Sequence, residues 1–334
     1  MNYDIFGLGN ALMDLLIEVD DAELSDIASM FQLKKGEVRF FDEAVIRKVL
    51  EEIDARKKDM IISPGGSCAN TMHGIALLGT SAVFCGKVGK DNYGDLYGEK
   101  MVMPKLKPNL ARSDKMTGLA ITFITPDGER TFADHLGAAI TLKKVDVPVN
   151  HVEKCKIMHT TGYLLEDENL REVALHAMQI AKKCNAKISL DLGDPGLVER
   201  NIISIRDIVK NHVDIVFANE DEVRALTGFP VKKALEKLSR MTEIAIVKVG
   251  KEGSFIRQDE TSYKIPGYTA KAIDTTGAGD MFAAGVLHGI AKNYSLEVSG
   301  HLGSYYGSKV VQQVSARLEQ IDEQEVEELV QRVK

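Results

Sequence analysis

Nothing in this 334-residue chain approaches the run of ~18 apolar residues that a membrane-spanning helix needs, so no contact with a membrane is expected. The N-terminus, MNYDIFGLGN, lacks a basic leader followed by an apolar stretch and a small-residue cleavage site, which makes the cytoplasm the expected location. Cys68, Cys85, Cys155 and Cys184 form no C-x-x-C pair, which argues against a zinc site or a redox dithiol and leaves buried free thiols as the expectation. Positive charge is short too: 42 Lys and Arg against 49 Asp and Glu give a net charge of -7. Nucleic-acid binding normally needs a basic footprint, so no nucleic-acid partner is expected, and any polyanionic ligand must be held by a local site.

Familiar nucleotide signatures are missing as well. There is no G-x-x-x-x-G-K-[ST], which removes the ordinary P-loop, and the protein-kinase catalytic strings are absent. The first strand runs into Gly7-Leu-Gly9-Asn10-Ala11-Leu12, with leucine where a dinucleotide fingerprint needs glycine.

What is present is a globular composition, 44% hydrophobic and 27% charged, long enough for a large core. Apolar strand-like runs at 3–9, 82–89, 156–162, 187–193 and 214–220 alternate with helix-like stretches at 42–57, 68–78, 168–183, 279–291 and 296–314, and a charged helix closes the chain at 322–333. This alternation predicts an α/β fold with a doubly wound, mainly parallel sheet flanked by helices. Two segments break the pattern, about 15–41 and 118–134. The second reads as two short strands joined by the turn Pro126-Asp-Gly-Glu. With no repeat or linker between them, they are expected to form a small β-sheet lid on one domain spanning 1–334.

The sequence AIDTTGAGDMFAAGVLHGI passes from a short apolar segment through a Gly-rich turn into a helical pattern. Unpaired amides at a helix start, with the helix dipole behind them, favour an anion, and small side chains let a phosphate approach. Asp280 falls at that helix start, where the dipole is expected to keep it ionised and able to accept a hydroxyl proton. The plainer alternative is a strand-to-helix turn with a capping aspartate. A second glycine pair, in SPGGSCANTMHGIALLG, opens another helix: Gly65 and Gly66 allow close approach of a ligand, and Asn70 offers a donor and an acceptor suited to sugar hydroxyls.

Taken together, GGSCAN with GKVGKDNYGD, Asn219-Glu-Asp-Glu222, VGKEG at 249–253 and DTTGAGD at 274–280 resemble, in order, the PfkB or ribokinase-like carbohydrate kinases, which include adenosine kinase. The resemblance implies that Asp280 activates the acceptor hydroxyl and that Gly277, Ala278 and Gly279 supply anion-hole amides. It implies ATP with Mg2+, leaves room for a monovalent cation, and gives Asn219 and Glu222 the N-x-x-E role of organising magnesium and phosphate. Gly250 and Gly253 match a nucleotide-contacting turn. Lys248, a further nucleotide-binding candidate, stands where many relatives carry threonine; contact with a phosphate and exposure to solvent, the default for a lone lysine, both stand as readings. Asp14, in FGLGN-x-x-x-D, resembles the aspartate that holds ribose hydroxyls in adenosine kinase. Arg130, in GERTFADHLGAA, matches a lid arginine facing the transferred phosphate, with an exposed hairpin arginine as the alternative. The helix-like insert at 21–31 leans toward the adenosine kinase branch and a monomer over a homodimer. Phe123, Phe132, Leu136 and Tyr163 are candidates to hold a purine or to fill core. Three substrate readings stand, adenosine, another nucleoside or a free sugar such as ribose or fructose, beside a catalytically silent binding homologue.

Overall fold

The computed structural model describes residues 3–334, and its two sheets follow from two different hydrophobic patterns. In Ile5–Leu8, Ile157–Thr161, Ile215–Asn219 and Ile244–Lys248 nearly every residue is buried. Such strands need cover on both faces. One face packs on the helices Ser67–Leu77, Ala278–Ala291 and Leu296–Val310, and the other on Glu168–Lys183, Ile202–His212 and Glu220–Thr227. In Leu12–Glu18, by contrast, Met13, Leu15 and Ile17 are fully buried while the alternate residues Leu12, Asp14 and Leu16 stay partly exposed. That alternation fits a sheet packed on one face and open on the other.

The large sheet has nine strands in the order Thr261–Pro266, Gly253–Gln258, Ile244–Lys248, Ile215–Asn219, Lys187–Asp191, Ile157–Thr161, Ile5–Leu8, Ala82–Gly89 and Leu106–Ser113. Neighbours pair in parallel except at the first two, which form an antiparallel edge. The chain winds outward in both directions from Ile5–Leu8. Its carboxyl end is therefore a topological switch point, where a crevice opens in sheets of this kind.

The small sheet has five strands, ordered Val38–Phe40, Arg130–His135, Gly118–Ile124, Leu12–Glu18 and Ile61–Gly65. The expected hairpin and the helix at 21–31 are present, the latter started by a reciprocal capping box between Asp20 and Glu23. The sheet nevertheless exceeds the two expected segments. It begins at Leu12 and recruits Ile61–Gly65 as an antiparallel edge. Pro64 and Gly65 hide that strand from a propensity reading, and an edge tolerates the missing amide of Pro64.

The helix expected over 296–314 ends at Val310, and residues 311–321 form an irregular segment that turns back under the site. All four cysteines are free, but Cys184 is exposed rather than buried. Among the described residues, no helix is long and apolar enough to cross a membrane.

Candidate active site

Asp280 lies in the first turn of the helix Ala278–Ala291, and the residue before that helix, Gly277, takes a left-handed φ of 77°. A Cβ on Gly277 would run into the backbone oxygen of Ala316, so glycine is required both by the turn and by the loop packed beneath it. The amides of Gly277 and Gly279 find no acceptor within the fold. The amide of Ala278 donates to Thr275 O at 3.2 Å, so in this conformation two of the three expected anion-hole donors are free.

Two residues of the helix Ser67–Leu77 hold the Asp280 carboxylate. Ser67 Oγ donates to its Oδ1 at 2.6 Å and Asn70 Nδ2 donates to its Oδ2 at 3.0 Å. Burial pushes the Asp280 pKa above the ordinary carboxylate range, these two hydrogen bonds pull against it, and nearby Asp191 adds to the rise while Lys248 opposes it. The helix start places Asp280 as expected, and burial, which sequence position does not show, adds an upward push on its carboxyl. The net effect suits a proton acceptor, since a base is most effective when its pKa approaches the working pH.

Asn70 also differs from expectation. Arg317 Nε donates to its Oδ1 at 2.7 Å while its amide nitrogen serves Asp280. A guanidinium only donates and a carboxylate only accepts, so the amide orientation is fixed by chemistry. Asn70 is 7% exposed and couples Arg317 to Asp280 instead of presenting both ends to a ligand. Arg317 sits on the irregular segment 311–321, a position no motif marked.

Asp14 faces the same space from the small sheet. Its carboxyl lies directly over Gly65, where any Cβ would overlap it. Gly66, at φ 92°, passes against Asn10 O and starts the helix that carries Ser67 and Asn70. Burial pushes the Asp14 carboxyl up to about 7; Arg317 and Arg130 lower it and Asp280 raises it. Arg130, at the start of its strand, reaches across to the DTTGAGD loop. It donates to Thr276 Oγ1 at 2.6 Å and pairs with Asp274 at 2.5 Å, with only 16% of its side chain exposed, which removes the exposed-hairpin alternative.

On the other side of the anion loop, Asn219 caps the helix Glu220–Thr227 in a reciprocal box with Glu222: Asn219 N donates to Glu222 Oε2 at 2.8 Å and Asn219 Nδ2 to Oε1 at 2.7 Å. The cap is real but its carboxylate is not solvated. Glu222 is 2% exposed, and burial pushes it up to about 7, with Lys248 opposing and Asp191 adding. Lys248 is not in solvent either. Its Nζ donates to Asp191 Oδ2 at 2.8 Å and lies 3.2 Å from where a Cβ on Gly279 would sit. Burial works against the lysine's charge, but Asp191 and Glu222 more than offset it and hold its pKa above the ordinary value. Asp191, at the end of Lys187–Asp191, was not singled out by the sequence; its Oδ1 is buried without a donor.

Gly250 and Gly253 bracket the turn into Gly253–Gln258. Gly250 faces open space, whereas Gly253, at φ 101°, lies against the backbone of Ile265 to Gly267, which accounts for it through hairpin packing. Of the purine candidates, Phe123 is fully buried core and Tyr163 is 41% exposed. Phe132 is partly exposed on the open face of the small sheet.

A family model described as pfkB family carbohydrate kinase matches residues 36–323. The chain is 31% identical over 266 residues to a probable fructokinase-7 of Arabidopsis thaliana, covering 74% of each. In structure it is similar to a probable sugar kinase from Rhizobium etli CFN 42, with TM-score 0.88 and 29% identity over 98% of both chains. It is also similar to the adenosine kinase from Sinorhizobium meliloti, with TM-score 0.87 and 28% identity over 98% of this chain and 99% of that one.

Proposed function

From the premise that the chain belongs to the pfkB family of carbohydrate kinases, phosphotransferases acting on hydroxyl groups of sugars or nucleosides, we propose that it transfers the γ-phosphate of ATP to a primary hydroxyl of a nucleoside or sugar. The observation that carries this reading is the Asp280 carboxylate, held at both oxygens by Ser67 and Asn70 at the mouth of the Gly277–Gly279 amides. A carboxylate has about four lone-pair sites, so two donors leave capacity for the acceptor's hydroxyl proton. Asp280 takes that proton as the hydroxyl oxygen attacks. The amides of Gly277 and Gly279 and the ammonium of Lys248 face the phosphoryl oxygens, where preorganised donors count most as charge shifts. Asp14 holds vicinal hydroxyls of the acceptor, and Arg130 turns from Asp274 and Thr276 to the transferred phosphate as the small sheet closes as a lid.

The donor set fits a phosphate-borne Mg2+. Asp191 Oδ1 is an orphaned buried acceptor, Glu222 lies close enough to be raised by Asp191, and Asn219 orients Glu222. Bound with the nucleotide, Mg2+ supplies charge neutralisation on the phosphates. Asp191 and Glu222 would hold it, directly or through water.

Adenosine is the first acceptor to test, given the insert Asp21–Phe31 and the likeness to an adenosine kinase. A free ketose is the second, favoured by the 31% identity to a fructokinase. The experiment is ATP consumption by the full chain with Mg2+ and adenosine, inosine, ribose or fructose. Acceptor-dependent ADP release supports the reading; none with any of the four, from protein with a cooperative melt, overturns it.

A further inference from the structure

Asp134 takes no part in the chemistry above, yet the register of the small sheet places it beside the acceptor. Asp14 pairs with Ala120, and Ala120 pairs with Asp134, so the three form one row across adjacent strands. Residues paired across strands project to the same face of a sheet. That face is the one from which Asp14 approaches Gly65 and Arg130 reaches Thr276. Ser63 extends the row beyond Asp14, and Phe40, 57% exposed, extends it beyond Asp134.

Two strand spacings separate the Asp14 and Asp134 backbones by about 10 Å. The residue between them in the row is Ala120, whose side chain is a single methyl group. Oδ1 of Asp134 is cut off from solvent with no donor in reach, and no Lys or Arg pairs with Asp134 among the described residues. An acceptor atom left without a donor in an open-faced row is a place for a ligand's donor. Burial, with Asp14's charge adding to it, pushes the Asp134 carboxyl up to about 7, so the fold gains nothing from its charge.

We propose that Asp134 is a second acceptor-reading carboxylate, which takes a hydrogen bond from a neutral donor, hydroxyl or amine, on the side of the acceptor opposite the hydroxyls held by Asp14. The inference rests on the kinase reading and narrows it. The acceptor carries donors at two ends; a carboxylate or phosphate beside Asp134 would meet a buried acidic group that no Lys or Arg among the described residues pairs with.

The test is steady-state kinetics of the full chain and its Asp134→Leu and Asp134→Ala variants, with adenosine, inosine, ribose, fructose and deoxy analogues of the better sugar, and a thermal melt on each protein. In both variants KM for the preferred acceptor is expected to rise about 10-fold or more, the loss of a specific hydrogen bond, while KM for ATP stays within about 2-fold. The analogue lacking the donor is expected to be as poor with the wild type as the full acceptor is with the variants, and indifferent to the substitution. If that analogue is inosine, the donor is the exocyclic amine; if a deoxy sugar, it is a hydroxyl. Transfer by the wild type with acceptor KM unchanged in folded Asp134→Ala overturns the inference and leaves the kinase reading intact. Absence of transfer to every acceptor overturns that reading and the inference with it.

Discussion

The two sheets carry function in different ways. The large sheet delivers Asp191, Asn219 and Lys248 at the ends of strands, and the Gly277–Asp280 loop comes from the start of a helix packed on that sheet. The small sheet delivers Asp14 and Asp134 from within its strands, at alternate positions whose partners come from far away in the chain. Groups at strand ends and helix starts fall in consecutive runs such as DTTGAGD, so their chemistry is written in neighbouring letters. Mid-strand groups share a row only once the register is known. The donor side and the base belong to the first kind, and the reading of the acceptor belongs largely to the second.

The sharpest way to break this comparison is at Asp280. Asp280→Asn keeps the shape and the hydrogen-bond capacity but cannot take a proton, so kcat is expected to fall about 10²- to 10⁴-fold while ATP binding, followed by calorimetry, is retained. Retained turnover would mean that the loop is an anion turn and that the base comes from elsewhere.

That contrast also accounts for what was legible beforehand. The alternating α/β pattern, the five expected apolar runs and the glycine turns were readable because each is a local signal. Arg317 was not, because it meets Asn70 across 247 residues of chain from an irregular segment that carries no motif. The surroundings of Lys248 stayed open for a related reason. A lone lysine is normally solvated, and only the packing of Gly279 against its ammonium, with Asp191 paired to it, reveals a buried cation. The upward push of burial on Asp280 was not legible, because helix position is visible in a sequence and depth of burial is not.

Arg317 sharpens the comparison, since it lies between the two sides. It orients Asn70 and so Asp280, and its charge lowers Asp14 against burial. Arg317→Gln is expected to cost about 10-fold in kcat and to move the acid limb of the kcat/KM profile to higher pH. The sign follows from the base: activity is lost as pH falls through the pKa of a required carboxylate, and removing a neighbouring cation raises that pKa. The charge of Arg317 acts on Asp280, and the other groups around it, Ser67 and Asn70 on one helix with Asp191 and Lys248 from the large sheet, keep their identities. A lower Tm with an unmoved limb would reduce Arg317 to packing.

The smallest expected effect concerns stability. The carboxyl of Asp134 stands at about 7 in the fold against an ordinary 3.8, so the folded state holds its proton more tightly than the unfolded chain does. Its contribution is therefore fully favourable below about pH 4 and is lost as pH rises through about 7. Asp134→Asn removes that titration. The variant is expected to melt a few degrees higher than the wild type at pH 8, corresponding to about 1 to 2 kcal/mol, with the advantage fading toward pH 5. A carboxylate that costs stability at neutral pH and improves acceptor affinity is placed for binding; one whose replacement leaves the melt unchanged at both pH values would be neither desolvated nor poised. Thermal melts at the two pH values decide between these, and a flat result would return the middle of the small sheet to the role of scaffold.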